Sequence, residues 1–149
     1  MYTGLLHLHN NLRWVILILL LVSIVQTYSA KNGKPGQGLM KTSLFLLIAA
    51  HTNFLIGLYQ YLTGAWGLKA IQDNGMSEVM KNSALRFWAV EHILSMLIAI
   101  VLITIARGKV KKSLYATSFW LYIVALILIL IAIPWPGREG VGRPLFPGM

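Results

Sequence analysis

The stretch RFWAVEHILSMLIAIVLITIARG, from Arg86 to Gly108, decides the fold of this 149-residue chain. It is long and apolar enough to cross a lipid bilayer as a helix, which takes about 20 residues. Glu91 and His92 nevertheless lie side by side near its beginning. Ionisable groups are costly inside a membrane, so both side chains are candidates for a function.

Three further apolar segments accompany this one, and only 11% of all residues are charged, against roughly 25% in an ordinary soluble domain. We therefore predict an all-α transmembrane protein, a four-helix bundle with up-down-up-down order. The predicted spans cover about residues 8–29, 39–62, 84–106 and 114–133. The first segment is interpreted as a retained helix because no signal-peptide cleavage site follows it.

Charge predicts the orientation of the spans. The first connection covers residues 29–38, and the predicted third connection covers residues 107–113. Counted with Lys41, which lies just beyond the first connection, the two carry seven basic and no acidic residues. Positive connections stay in the cytoplasm, so we expect both termini on the opposite side of the membrane. The net charge of +9 is thereby explained without nucleic-acid binding. Within the predicted spans, no ionisable residue is expected on the cytoplasmic side of the membrane.

Two shorter segments lie outside the spans. Residues 76–80 predict a short amphipathic helix at the membrane interface. Residues 134–149 form a tail with four prolines and four glycines. Such a composition does not fold alone, and a partner protein is the first candidate to hold it.

The polar residues of the spans favour one site near the outer side. His51 and His92 are predicted at similar depth on two helices, and His9 lies near the same interface. Two imidazoles from different helices are what one b-type haem requires, and the absence of cysteine excludes covalent attachment through a Cys-x-x-Cys-His motif. His51 with His92 is the preferred axial pair, and His9 with His92 is the competing one.

The remaining polar groups are assigned around this pair. Arg13 and Arg86 could neutralise the haem propionates, although either could equally extend its charge to the lipid headgroups. Glu91 points about 100° away from His92 on a helix, so we expect it to form an ion pair with Arg13 or to mark a proton or quinone site. Each lone histidine could instead form a hydrogen bond between two helices.

Four segments carry a resemblance to a known family: LLHLHNNLRW, AAHTNFLIGLYQY, the stretch from Arg86 to Gly108, and IPWP. In order and spacing they resemble small four-helix bacterial membrane proteins labelled cytochrome b. The resemblance covers most of the chain and implies a haem b. It also implies a location in the bacterial inner (cytoplasmic) membrane, in which case both termini are periplasmic. The residues that match the family pattern are His9, Arg13, Trp14, His51, Gly57, Glu91 and His92.

These observations lead to one principal hypothesis and two alternatives. The first is a one-haem electron-transfer protein, or haem-bearing subunit of a respiratory membrane complex, with other inner-membrane subunits as partners and quinone as a candidate. The second is a cofactor-free accessory subunit of a larger inner-membrane complex. The third is a metal site built from His9, His51, His92 and Glu91. An electron-transfer or accessory role is favoured over a stand-alone enzyme.

Overall fold

The computed structural model describes residues 2–34 and 36–146, and within these ranges it is helical and contains no strand. Two long helices come first, and three short ones with a π-helical turn connect them to two further long helices. The helices are α1 (Tyr2–Lys31), α2 (Leu39–Thr63), α3 (Leu68–Asn74), α4 (Met76–Lys81), α5 (Ser83–Arg86), the π-helical turn Phe87–Glu91, α6 (His92–Lys111) and α7 (Tyr115–Ala132).

Four helical stretches are long and apolar enough to span a membrane, which indicates a membrane protein. Their bounds differ from the prediction at two places. Helix α1 begins at Tyr2 rather than near residue 8, and α6 continues to Lys111 rather than ending near residue 106. The predicted third connection is therefore mostly helical, and Arg107 is a buried helical residue instead of a loop residue. The short helix predicted at residues 76–80 is confirmed as α4.

The long helices pack side by side around a shared apolar core. Helices α1 and α6 each contact both α2 and α7. The core takes one large, fully buried side chain from each of them: Leu20, Leu46, Ile103 and Tyr122. Close packing of this kind holds membrane helices together, because lipid tails are as apolar as the side chains themselves.

Leu46 and Leu55 on α2 offer a matched test of this core. Leu46 is 0% exposed and Leu55 is 65% exposed. We expect Leu46→Ala to lower the free energy of unfolding by about 2–5 kcal/mol, because truncation of a buried leucine leaves a cavity. Leu55→Ala removes a side chain from the surface, so we expect a change within about 0.5 kcal/mol. Unfolding by sodium dodecyl sulfate in mixed micelles, followed by tryptophan fluorescence, measures both.

The C-terminal tail folds back onto the helices of its own chain. After α7 it turns back, and the Arg143 amide donates a hydrogen bond to the Pro134 carbonyl at 3.0 Å. Val141 is buried, and the Phe146 ring stacks on Trp14 of α1 with ring centres 5.6 Å apart. The buried Val141 and the stacked Phe146 give this proline- and glycine-rich segment packing contacts with the helices. The last three residues of the predicted tail lie outside the described residues.

Candidate functional site

His9 and His92 face each other where α1 approaches the beginning of α6. The centres of their rings are 6.4 Å apart, and the ring planes are inclined by 65°. Both side chains are largely covered by neighbouring residues. This pair is the competing pair of the sequence analysis, and the structure brings its two members together.

Each histidine of the pair is anchored through its Nδ1 atom to a backbone carbonyl of another helix. His9 Nδ1 lies 3.2 Å from the backbone oxygen of Asn53 in α2, and His92 Nδ1 lies 2.8 Å from the backbone oxygen of Ala132 at the end of α7. A carbonyl can only accept, so Nδ1 carries the proton in each ring and Nε2 keeps its lone pair. Metal-binding histidines are commonly oriented by this kind of hydrogen bond. Neither Nε2 atom has a hydrogen-bond partner among the described residues.

Gly57 of α2 makes room for the His9 ring. A Cβ atom at this position would lie 3.0 Å from His9 Cε1 and 3.5 Å from His9 Nδ1. The first of these distances is shorter than ordinary van der Waals contact, so a side chain at this position would push the His9 ring away by a few tenths of an ångström. Glycine is unfavourable inside a helix by roughly 0.8–1.0 kcal/mol relative to alanine. Its presence here is explained by the approach of His9.

The π-helical turn Phe87–Glu91 ends directly before His92. It inserts an extra residue into the helical path and thereby changes the direction in which the following side chains point. Phe87 and Trp88 of this turn pack against the His92 ring, with ring centres 5.8 and 5.7 Å away. Turns of this type occur frequently at functional sites.

The two arginines assigned to the site bind groups of the protein. Arg86 Nε donates to Glu91 Oε1 at 2.7 Å, and its Nη1 donates to the Met80 carbonyl. Arg13 Nη2 donates to the Leu145 carbonyl at 2.8 Å. Glu91 therefore pairs with Arg86, five residues earlier across the π-helical turn, and not with Arg13.

His51 lies on a different face of α2 from the histidine pair. It is exposed, and its Nδ1 lies 2.9 Å from the Leu47 carbonyl of its own helix. The preferred pair of the sequence analysis, His51 with His92, is thus not brought together. Within the described part of the chain, no three histidine, aspartate or glutamate side chains are grouped as a metal ion would require.

Several contributors to this site were missed by the sequence analysis. The Asn53 and Ala132 carbonyls are backbone groups, which carry no signal of their own in a sequence. Arg138 and Arg143 of the tail lie over the Phe87 and Trp88 rings, at 4.6 and 5.4 Å from the ring centres. Both rings contact His92, so the tail covers the residues that enclose the histidine pair. The basic residues of the tail were the sequence signal for these contacts. The sequence analysis did not predict that the tail folds back onto the helices.

Trp14 offers a test of how the tail is held. Its Nε1 donates to the Leu145 carbonyl at 3.1 Å, beside the stack with Phe146. We expect Trp14→Leu to release the tail and to raise the rate of trypsin cleavage after Arg138 several-fold, because proteases cut released backbone; the bond after Arg143 resists trypsin because Pro144 follows it. Trp120→Leu, at an exposed tryptophan of α7, is the control. Equal cleavage of both variants, measured by mass spectrometry, contradicts the role of Trp14.

Comparisons with known proteins give no assignment for this chain. No family model matches it, and neither a curated protein nor a solved structure does so. The histidine pair and its surroundings therefore carry the functional argument.

Proposed function

We propose that this chain is a b-type haem protein of the membrane that transfers single electrons, either alone or as the haem-bearing subunit of a respiratory membrane complex. The observation that carries the proposal is the pair His9 and His92, with ring centres 6.4 Å apart and both Nδ1 atoms anchored to carbonyls. The competing pair of histidines is thereby preferred over His51 with His92.

The spacing of the rings suits two imidazoles that share one metal ion. At about 2.0–2.1 Å for each metal–nitrogen bond, two bound nitrogens on opposite sides of a metal are roughly 4 Å apart, and the ring centres lie somewhat further out. The observed 6.4 Å between ring centres is of that size. Both Nε2 atoms are available as ligands in the tautomer that the two carbonyls select.

A haem bound between these residues supplies one-electron oxidation and reduction at its iron. His9 and His92 would hold it through their Nε2 atoms, and the Asn53 and Ala132 carbonyls keep both rings in orientation. Phe87 and Trp88 limit the access of water to His92. Arg13 and Arg143 bring positive charge to this end of the helices, where they would offset the haem propionates.

The wider setting belongs to the same proposal. The long helices would form a four-helix bundle in up-down-up-down order, in a bacterial inner membrane with both termini periplasmic. The predicted connections support this orientation, because the basic residues without acidic neighbours gather at one end. Other membrane subunits and a quinone remain the candidate partners.

The visible spectrum of the purified protein tests the proposal. The protein is expressed in cells supplied with a haem precursor, purified in detergent, and recorded oxidised and then reduced with dithionite. We expect sharp α and β bands on reduction, and their loss on reoxidation by a soluble quinone. A colourless protein from haem-sufficient cells contradicts the proposal.

The same hydrogen bonds favour one second candidate, a cofactor-free accessory subunit. His9 joins α1 to α2, and His92 joins α6 to α7. Hydrogen bonds between membrane helices contribute about 0.6 kcal/mol on average, so two histidines could serve the fold alone. This candidate predicts a colourless protein that is destabilised by His9→Ala and His92→Ala.

A further inference from the structure

Arg107 near the end of α6 is a buried cation with no acidic partner among the described residues. Its side chain is only 7% exposed, and its Nε atom has no hydrogen-bond partner among the described residues. The guanidinium extends to α2, where Nη1 approaches the Met40 sulfur at 3.4 Å. A thioether is a weak acceptor and carries no charge, so this contact does not neutralise the arginine.

All four acidic residues of the chain lie elsewhere. They are Asp73, Glu78, Glu91 and Glu139. Glu91 is the acid nearest to Arg107 along the chain, and 16 residues of helix at about 1.5 Å each place it roughly 24 Å away. None of these four acidic side chains neutralises Arg107, and an anion from outside the chain would supply the missing charge.

The first turn of α2 adds a second feature that attracts anions. This 25-residue helix begins at Leu39, and Gly38 before it makes no side-chain hydrogen bond to the turn. The Leu39 and Lys41 amides donate to the Gly36 and Gly38 carbonyls, which leaves the Met40 amide without a backbone acceptor among the described residues. This amide and the helix dipole make the end favourable for a phosphate. Arg107 reaches Met40, the second residue of the helix, so the cation and the helix end converge on one place.

The surroundings distinguish a lipid from a free ion. Met40 is 50% exposed, and Leu44 one turn further along α2 is also exposed. This provides an apolar track for an acyl chain that begins at the anion site. Lys41 and Lys111 are exposed beside it, with Lys111 one turn after Arg107 on α6. A polar anion with an attached hydrocarbon chain fits both parts.

We propose that Arg107 and the first turn of α2 bind the phosphate of an anionic glycerophospholipid. Its acyl chains lie along Met40 and Leu44, and Lys41 and Lys111 draw the headgroup to the site. The inference does not depend on haem binding, since this site and the histidine pair share no residue. It explains how a guanidinium without a protein counter-ion is accommodated near the end of a membrane helix.

Native mass spectrometry of the delipidated full-length protein in a non-ionic detergent tests the site. Phosphatidylglycerol and phosphatidylcholine with the same acyl chains are added separately. We expect one phosphatidylglycerol to stay bound under collisional activation that removes phosphatidylcholine. Arg107→Gln should weaken this retention about fivefold, whereas Lys112→Gln, which removes the same charge at an exposed residue of the same end, should leave it unchanged. Equal retention by Arg107→Gln and the wild type overturns the proposal.

A second pair of variants keeps the test decisive if Arg107→Gln does not fold. Met40→Glu supplies a carboxylate where Arg107 Nη1 already points, so it should neutralise the guanidinium and displace the lipid. Met40→Gln has the same size without the charge and should retain phosphatidylglycerol. Retention of the lipid by Met40→Glu contradicts the site.

A further arm of the experiment separates the two sources of phosphate. If inorganic phosphate alone stabilises the wild type against heat and displaces phosphatidylglycerol completely, Arg107 binds a free anion and the lipid assignment is wrong. If phosphatidylglycerol remains bound in the presence of phosphate, the attached hydrocarbon contributes to binding, as proposed.

Discussion

Replacing either His9 or His92 by alanine is expected to lower the haem content of the purified protein by at least about tenfold. Both rings present an unpartnered Nε2 atom and are oriented by a backbone carbonyl. Loss of a group that merely orients a ligand typically costs 10–100-fold in metal affinity, and loss of the ligand itself should cost at least as much. The reduced α band, divided by protein concentration, is the measurement.

Two control variants and a rescue complete this experiment. His7→Ala lies two residues before His9 on α1, and His51→Ala is at the exposed histidine of α2; both should keep the α band. Added imidazole should restore part of the band in His9→Gly, because it can enter the space of the missing ring. If His51→Ala loses the haem and His9→Ala keeps it, the assignment of His9 is wrong.

Gly57→Val is expected to abolish haem binding while the protein still folds. Even a Cβ atom at this position would come within 3.0 Å of His9 Cε1, and the branched valine side chain adds two methyl groups in the same place. The ring must leave its position, and its Nδ1 then loses the Asn53 carbonyl. Gly57→Ala should shift the ring by less and lower the haem content only in part.

Gly57→Ala should lower haem binding without lowering the stability of the haem-free protein. Alanine favours a helix interior by roughly 0.8–1.0 kcal/mol over glycine, so the haem-free protein should become no less stable. Gly108→Ala on α6 is the matched control, because a Cβ atom there meets nothing within 4 Å. We expect Gly108→Ala to leave the haem content unchanged. Full haem content in Gly57→Val contradicts the role of Gly57.

The candidate membrane helices were predictable from the sequence, because each needs only length and apolar composition. The prediction that His51 of α2 meets His92 was wrong, because it compared the depths of the two residues along their helices and neglected the faces on which they lie. Leu46, Ala50 and Asn53 are buried, and their spacing of four and three residues defines one stripe on α2, which continues to Gly57. His51 follows Ala50 directly and therefore points about 100° away from that stripe.

Other features depend on backbone geometry that no residue pattern announces. The π-helical turn before His92 changes the directions of the side chains in the stretch Arg86–Gly108, and Glu91 pairs with Arg86 within that stretch. The carbonyls that orient His9 and His92 belong to residues distant in sequence. Arg107 was assigned to a connection because its position relative to the end of α6 was misjudged by about one turn.

The electron paramagnetic resonance spectrum of the oxidised, purified wild-type protein tests the central claim most directly, with haem quantified in the same sample. Two imidazole nitrogens on opposite sides of one ferric iron give a low-spin signal. We predict one haem per chain with that signal alone, and its loss in His9→Ala and in His92→Ala. A high-spin signal in the wild type, or protein from haem-sufficient cells that carries no haem, would contradict a haem held between His9 and His92.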